Sequence, residues 1–187
     1  MRQIKNTDQH TTFLYVESRC PTAIFVTYFG VCRKAVDEAS GEIMGMGKWN
    51  IYNNSLPDLD TIKPLGDYWD NDEEKMFATS MTQIFLQERN AAIKRSNGNL
   101  VSLDILAIDP KYQRKGAGDA LVKWGTRKAD ELGLEAVVES SVFGKGLYEK
   151  NGFVFVKDVV TRPPEGEERW KGRTAGQFAW LIRPKKH

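Results

Sequence analysis

The period of the apolar positions changes several times along the chain, and each change predicts an element. Residues 24–36 are dense in Val, Phe, Tyr and Thr and predict a strand. A polar cluster, Asp37-Glu-Ala-Ser-Gly41, separates it from residues 42–52, which predict the return strand of a hairpin. Residues 56–72 hold two prolines and several aspartates without a period and predict a loop. From Glu73 the pattern turns helical: Phe77, Met81, Ile84, Phe85, Ala91 and Ala92 share one face, Gln87, Arg89 and Lys94 face away, and Ser96-Asn-Gly98 ends the run. Residues 100–108 are almost continuously apolar, as in a strand buried on both faces. Ala117, Ala120, Leu121, Trp124, Lys128 and Leu132 recur at helical spacing, with Gly133 placed to terminate the helix. Residues 134–140 predict the next strand, so strand, helix and strand form a parallel unit with a right-handed crossover. A short helix over 144–151, strands over 153–160 and 177–182, and a charged loop over 162–175 complete one α/β domain spanning 1–187, without internal repeats.

Composition narrows the class. With 27 basic and 25 acidic residues the net charge is +2, too small for a general nucleic-acid or membrane footprint. Any basic site must be local. Cys20 and Cys32 form neither a disulfide framework nor a metal-ligand spacing, and His10 and His187 have no ligand partners near them in sequence. The longest apolar run, residues 23–32, is about half the ~20 residues a membrane span needs and lacks the flanks of a signal peptide. A cytoplasmic or nuclear protein is expected.

The local basic feature is "DPKYQRKGAGDAL", which joins the strand over 100–108 to the following helix. A strand end followed by Gly116-Ala-Gly118 at a helix start offers unpaired backbone N–H groups, the positive end of a helix dipole and room for close approach, all of which suit a diphosphate. Arg114 and Lys115 add charge beside it. The turn is neither a dinucleotide fingerprint, which needs a third glycine, nor a P-loop, which needs Gly-Lys-Ser/Thr.

Residues 103–153 resemble the acetyl-CoA signature of the GCN5-related N-acetyltransferases (GNAT), and look most like its fungal members. In that family Gln/Arg-x-x-Gly-x-Gly/Ala lies between a strand and a helix; Gln113, Gly116 and Gly118 fill its fixed places. A second landmark, Leu-Tyr-x-x-x-Gly-Phe, is complete as Leu147, Tyr148, Gly152 and Phe153. The resemblance implies a mixed sheet splayed between its fourth and fifth strands, with helices on both faces. It implies acetyl-CoA as cosubstrate, its pyrophosphate held by the amides of Arg114, Lys115, Gly116, Ala117, Gly118 and Asp119. The pantetheine would lie along Ile105, Leu106, Ala107 and Ile108 like an added strand.

Acetyl transfer to an amine needs a neutral amine, a polarised thioester carbonyl and a proton for the departing thiolate. The resemblance makes Tyr148 the proton donor, since a phenol is protonated at pH 7 and the family sets this tyrosine beside the CoA sulfur. A backbone N–H near Leu106 would polarise the carbonyl. Asp104 and Glu139, on the two strands that bound the seam, are both candidates to take the ammonium proton directly or through water. Either is equally a structural carboxylate. The acidic, aromatic stretch over 56–75, with Asp58, Asp60, Asp67, Asp70, Asp72, Glu73 and Glu74 around Tyr68-Trp69, suits either a cationic acceptor or a solvated loop.

The family usually opens with a strand and two helices that wall the acceptor pocket, whereas here the predicted hairpin follows residue 21. "TTFLYV", residues 11–16, itself looks like the family's second strand if 17–33 were an insertion. The N-terminal part is expected to be shortened or rearranged. Two rivals to an active acetyltransferase follow: a non-catalytic acyl-CoA-binding module of the same fold, its incomplete acceptor pocket needing another subunit, such as a homodimer mate, or an N-terminal extension, and a nucleotide-binding protein of another class.

Overall fold

The computed structural model describes the backbone of residues 13–18, and residues 30–60, 69–163, 167, 170–173 and 176–186. Readings on His10, Cys20, Asp67, Tyr68, His187 and most of the run over 23–32 lie outside the described residues. The elements follow in the order β1 (Phe13–Ser18), β2 (Gly30–Asp37), β3 (Ile43–Tyr52), α1 (Asp72–Arg95), β4 (Leu100–Ile108), α2 (Ala117–Leu132), β5 (Glu135–Ser140), α3 (Lys145–Lys150), β6 (Val154–Thr161) and β7 (Gly176–Arg183). The strands form one mixed sheet in the order β1-β2-β3-β4-β5-β7-β6.

The fold is the expected mixed α/β sheet, and its first strand differs from the sequence reading. The hairpin's first strand is described from Gly30 to Asp37, and residues 24–29 of that reading lie outside the described residues. The "TTFLYV" segment is not a second strand that continues past an insertion but the edge strand β1, antiparallel to β2, with Phe13 opposite Asp37 and Ser18 opposite Cys32. Only eleven residues separate β1 from β2, too few for two ordinary helices. The long helix of this chain lies instead between β3 and β4.

Helices cover both faces. On one, α2 packs through Val122 and Ala129 against Trp49, Val101, Leu103, Ala136, Val138 and Leu181, and through Leu121 in a second cluster with Ala35 and Met44. Contact there is close because position 125 is glycine: a Cβ would stand 2.1 Å from Cε2 of Trp49. On the other, Ala92 and Ile93 of α1 pack with Tyr52, Leu100, Val137, Phe178 and Trp180. Asn71 caps α1 by accepting from the Glu74 amide at 2.9 Å, with three acids in the first turn and Lys94 and Arg95 in the last, as the helix dipole favours. Gly133, at φ +64°, ends α2 as its position predicts. Among the described residues, no helix is long and apolar enough to cross a membrane.

Candidate active site

The site begins where two parallel strands part. β4 and β5 pair only from Leu100 opposite Glu135 to Leu103 opposite Val138. β4 then runs on to Ile108 bonded to β3 alone, while Glu139 and Ser140 of β5 pair with β7. The register against β3 jumps from Trp49–Leu103 to Lys48–Ile105, so Asp104 is the extra residue of a β-bulge at the point of divergence. The segment from Asp104 to Ile108 therefore offers a free strand edge to the seam. Leu106 and Ile108 pack toward α2, whereas Ala107 is exposed.

At the top of that edge a 3-10 turn over Pro110–Tyr112 leads to the start of α2. Gln113, Arg114 and Lys115 are exposed, and Arg114 adopts φ +61°, uncommon for a residue with a Cβ. Gly116 stands at the N-cap of α2 with φ +89°, a conformation glycine alone adopts readily. The first-turn amides of Ala117, Gly118 and Asp119 have no partner within the helix. A Cβ at Gly118 would lie 3.4 Å from Leu147 and 3.6 Å from Ile108, ordinary contact distances that place the start of α2 beside both β4 and α3. The turn is held from below: the Tyr112 hydroxyl and Lys111 both donate to the Glu42 carboxylate, and the Asp109 amide donates to the Met44 carbonyl.

The side chain of Asp119 points away from a phosphate role. It accepts from Asn151 at 2.9 Å and pairs with Lys123, while Asn151 also donates to the Leu147 carbonyl. Burial raises the Asp119 carboxyl, but Lys123 and Asn151 outweigh it and hold it below its ordinary value. Asn151, inside the second sequence landmark, thus ties α3 to the first turn of α2. Tyr148 on α3 is buried against Phe153. Burial, with the nearby Glu139 charge, pushes its phenol up to about 12.

Both candidate carboxylates meet on the α1 side of the seam, and a residue read as facing away joins them. Arg89, 5% exposed, donates to Asp104 at 2.6 Å and to Glu139 at 3.0 and 2.5 Å. Lys48 of β3 donates to the other Asp104 oxygen at 2.8 Å. Burial raises the Asp104 carboxyl, yet Arg89 and Lys48 together hold it below its ordinary value. Burial likewise opposes the Arg89 charge, and the two carboxylates more than reverse that. The Glu139 side chain is 1% exposed and that of Asp104 18%, so Asp104 is the more reachable from the seam. The acidic stretch before α1 is partly committed elsewhere: Asp60 pairs with Lys94, and Glu74 with Arg173.

A sheet opened at a β4 bulge, with a glycine-capped helix start above it, is the architecture of an acetyltransferase domain. Residues 65–163 match the family model of the acetyltransferase (GNAT) domain, more than half of the 187 residues, and the chain belongs to that family. None of the curated proteins matches the sequence. Among solved structures, a Drosophila melanogaster polyamine N-acetyltransferase is 12% identical with TM-score 0.56, covering 81% of this chain and 72% of its own. A mosquito arylalkylamine N-acetyltransferase like 5b is 15% identical with TM-score 0.55, over 81% and 73%. A Corynebacterium glutamicum acetyltransferase related to histone acetyltransferase HPA2 is 17% identical with TM-score 0.49, over 84% of this chain and 66% of its own. These likenesses are of fold.

Proposed function

We propose that this protein is an acetyl-CoA-dependent N-acetyltransferase that acts on a primary amine of a small molecule or a protein in a reducing compartment, cytoplasm or nucleus. The observation that carries the reading is the meeting of the free β4 edge with the start of α2. The amides of Arg114 to Asp119 would hold the pyrophosphate, with Gln113 at the turn's entry and Arg114 and Lys115 supplying charge. Ile105 to Ile108 would hold the pantetheine by strand addition. A donor N–H on this edge near Leu106 polarises the thioester carbonyl, and Tyr148 donates to the departing sulfur. Asp104 and Glu139 are the carboxylates able to take the ammonium proton through water, Asp104 being the more accessible.

A second reading, an acyl-CoA-binding module without turnover, draws on one observation: both carboxylates are already paired with Arg89. Calorimetry and thiol release separate the possibilities. The parent chain is expected to bind acetyl-CoA and to release thiol with at least one member of a panel of polyamines, aminosugars, arylamines and lysine peptides. Binding without thiol release would leave the module. Gly116→Glu places a side chain and negative charge at the phosphate site on a backbone that disfavours it, and should abolish binding. A folded Gly116→Glu protein with parental affinity would overturn the assignment.

A further inference from the structure

The group at the centre of the seam comes from an element that the chemistry above does not use. The backbone ladder between β4 and β5 ends at Leu103 and Val138, and the next residue on each strand is an acid, Asp104 and Glu139. Arg89 spans the two. Its Nη1 donates to Asp104, its Nε and Nη2 donate to Glu139, and Nη2 also reaches the carbonyl of Leu103, the last β4 residue in the ladder, at 3.4 Å. One planar guanidinium thus replaces the missing strand-to-strand bonds, a geometry a lysine cannot reproduce with its single ammonium.

Two features make this more than a buried ion pair. The bulge that frees the β4 edge is at Asp104 itself, so the residue Arg89 grips is the one whose placement opens the seam. The helix carrying Arg89 is fixed on either side by Arg95 with Glu135 of β5 and Glu88 with Lys157 of β6. Among the described residues, Lys48 and the buried Tyr52 face this cluster, and Tyr148 lies close enough to Glu139 to feel its charge.

We propose that Arg89 is a positioning residue for acetyl transfer: it takes over from the backbone ladder where β4 and β5 part, and so sets the width of the seam and the placement of Asp104 and Glu139 within it. This rests on the acetyltransferase reading. A displacement of about 1 Å at a reacting centre costs on the order of 10²-fold in rate, whereas the pyrophosphate turn stands on other elements. Arg89→Lys should therefore lower kcat by roughly 10²-fold on the acceptor that the parent turns over best. Affinity for desacetyl-CoA should change by no more than about 3-fold, a difference under 1 kcal/mol.

The charge-balanced double variant Arg89→Met/Glu139→Gln guards against misfolding, since it removes one charge of each sign. It should fall well below Glu139→Gln alone. If the parent turns over and both Arg89 variants, folded, keep the kcat of their references, the positioning role is overturned while the functional reading stands. If the parent neither binds acetyl-CoA nor releases thiol, the functional reading fails and the role of Arg89 falls with it.

Discussion

The environment of Tyr148 both suits and restricts the role proposed for it. Burial and the Glu139 charge act in the same direction and carry the phenol from 10 up to about 12. An ordinary thiol titrates near ~8.5, so full proton transfer to the departing sulfur is uphill. In the proposed chemistry the hydroxyl would act instead as a hydrogen-bond donor to charge that develops on the sulfur, and removal of such a donor costs about 10²-fold or more. Tyr148→Phe should lower kcat by roughly 10²-fold and leave acetyl-CoA affinity nearly unchanged, as calorimetry beside steady-state kinetics would show. The pH profile follows from the same shift. A phenol raised above its ordinary value keeps its proton through pH 10 and loses it only as pH rises through about 12. The kcat profile should therefore have no descending limb from Tyr148 below about pH 11. A limb near pH 10 that disappears in Tyr148→Phe would contradict this account.

At the scale of elements, what can be read from sequence depends on what each element faces. The α2 pattern is legible because its inner side meets an apolar sheet face, and the glycine within it has a packing reason. At Gly125 a methyl would strike Trp49, whereas at Gly146 of α3 a Cβ meets nothing within 4 Å. Gly125→Ala should destabilise the fold by about 1–3 kcal/mol, overpacking outweighing the gain in helix propensity of up to ~1 kcal/mol. It should also weaken acetyl-CoA binding, since lifting α2 moves the amides at its start. Gly146→Ala should raise Tm slightly, and thermal melts of the pair would test the contrast. α1 is legible as a helix but not in its orientation. Its inner side lies over a polar seam, so Arg89 joins Ala92 and Ile93 at i+3 and i+4 on the buried stripe while Phe85 is left exposed. Counting apolar residues puts Arg89 outside because it cannot count two carboxylates that arrive from strands 15 and 50 residues away. The position of the turn over 113–118, between β4 and α2, was legible because its residues are contiguous; the clamp was not, because it is assembled in space.

Over the whole molecule the open question is whether the acceptor side of the seam is closed by this chain or by a second copy. A family member that lacks room for two helices between its first two strands should leave that side bare. Here α1 covers the sheet face at the seam, and Arg173, paired with Glu74 and stacked at 4.3 Å on Phe77, fastens the turn that carries Trp170 onto the same helix. We expect this later element to supply the wall. The β6 edge of the sheet offers little to a partner: it exposes Val154, Val156 and Val160, but Lys157 and Asp158 interrupt them, and a register shift beside Lys157 bends the strand, the usual protection against edge pairing. The net charge of +2 neither drives nor forbids association. We therefore expect the chain to be monomeric in solution and to acetylate its acceptor in that state. Light scattering read together with specific activity over a hundredfold range of protein concentration would decide it. Activity per chain that holds constant across the range, at monomer mass, is the expected result. Specific activity that climbs with concentration as the mass doubles would instead assign part of the acceptor wall to a second copy.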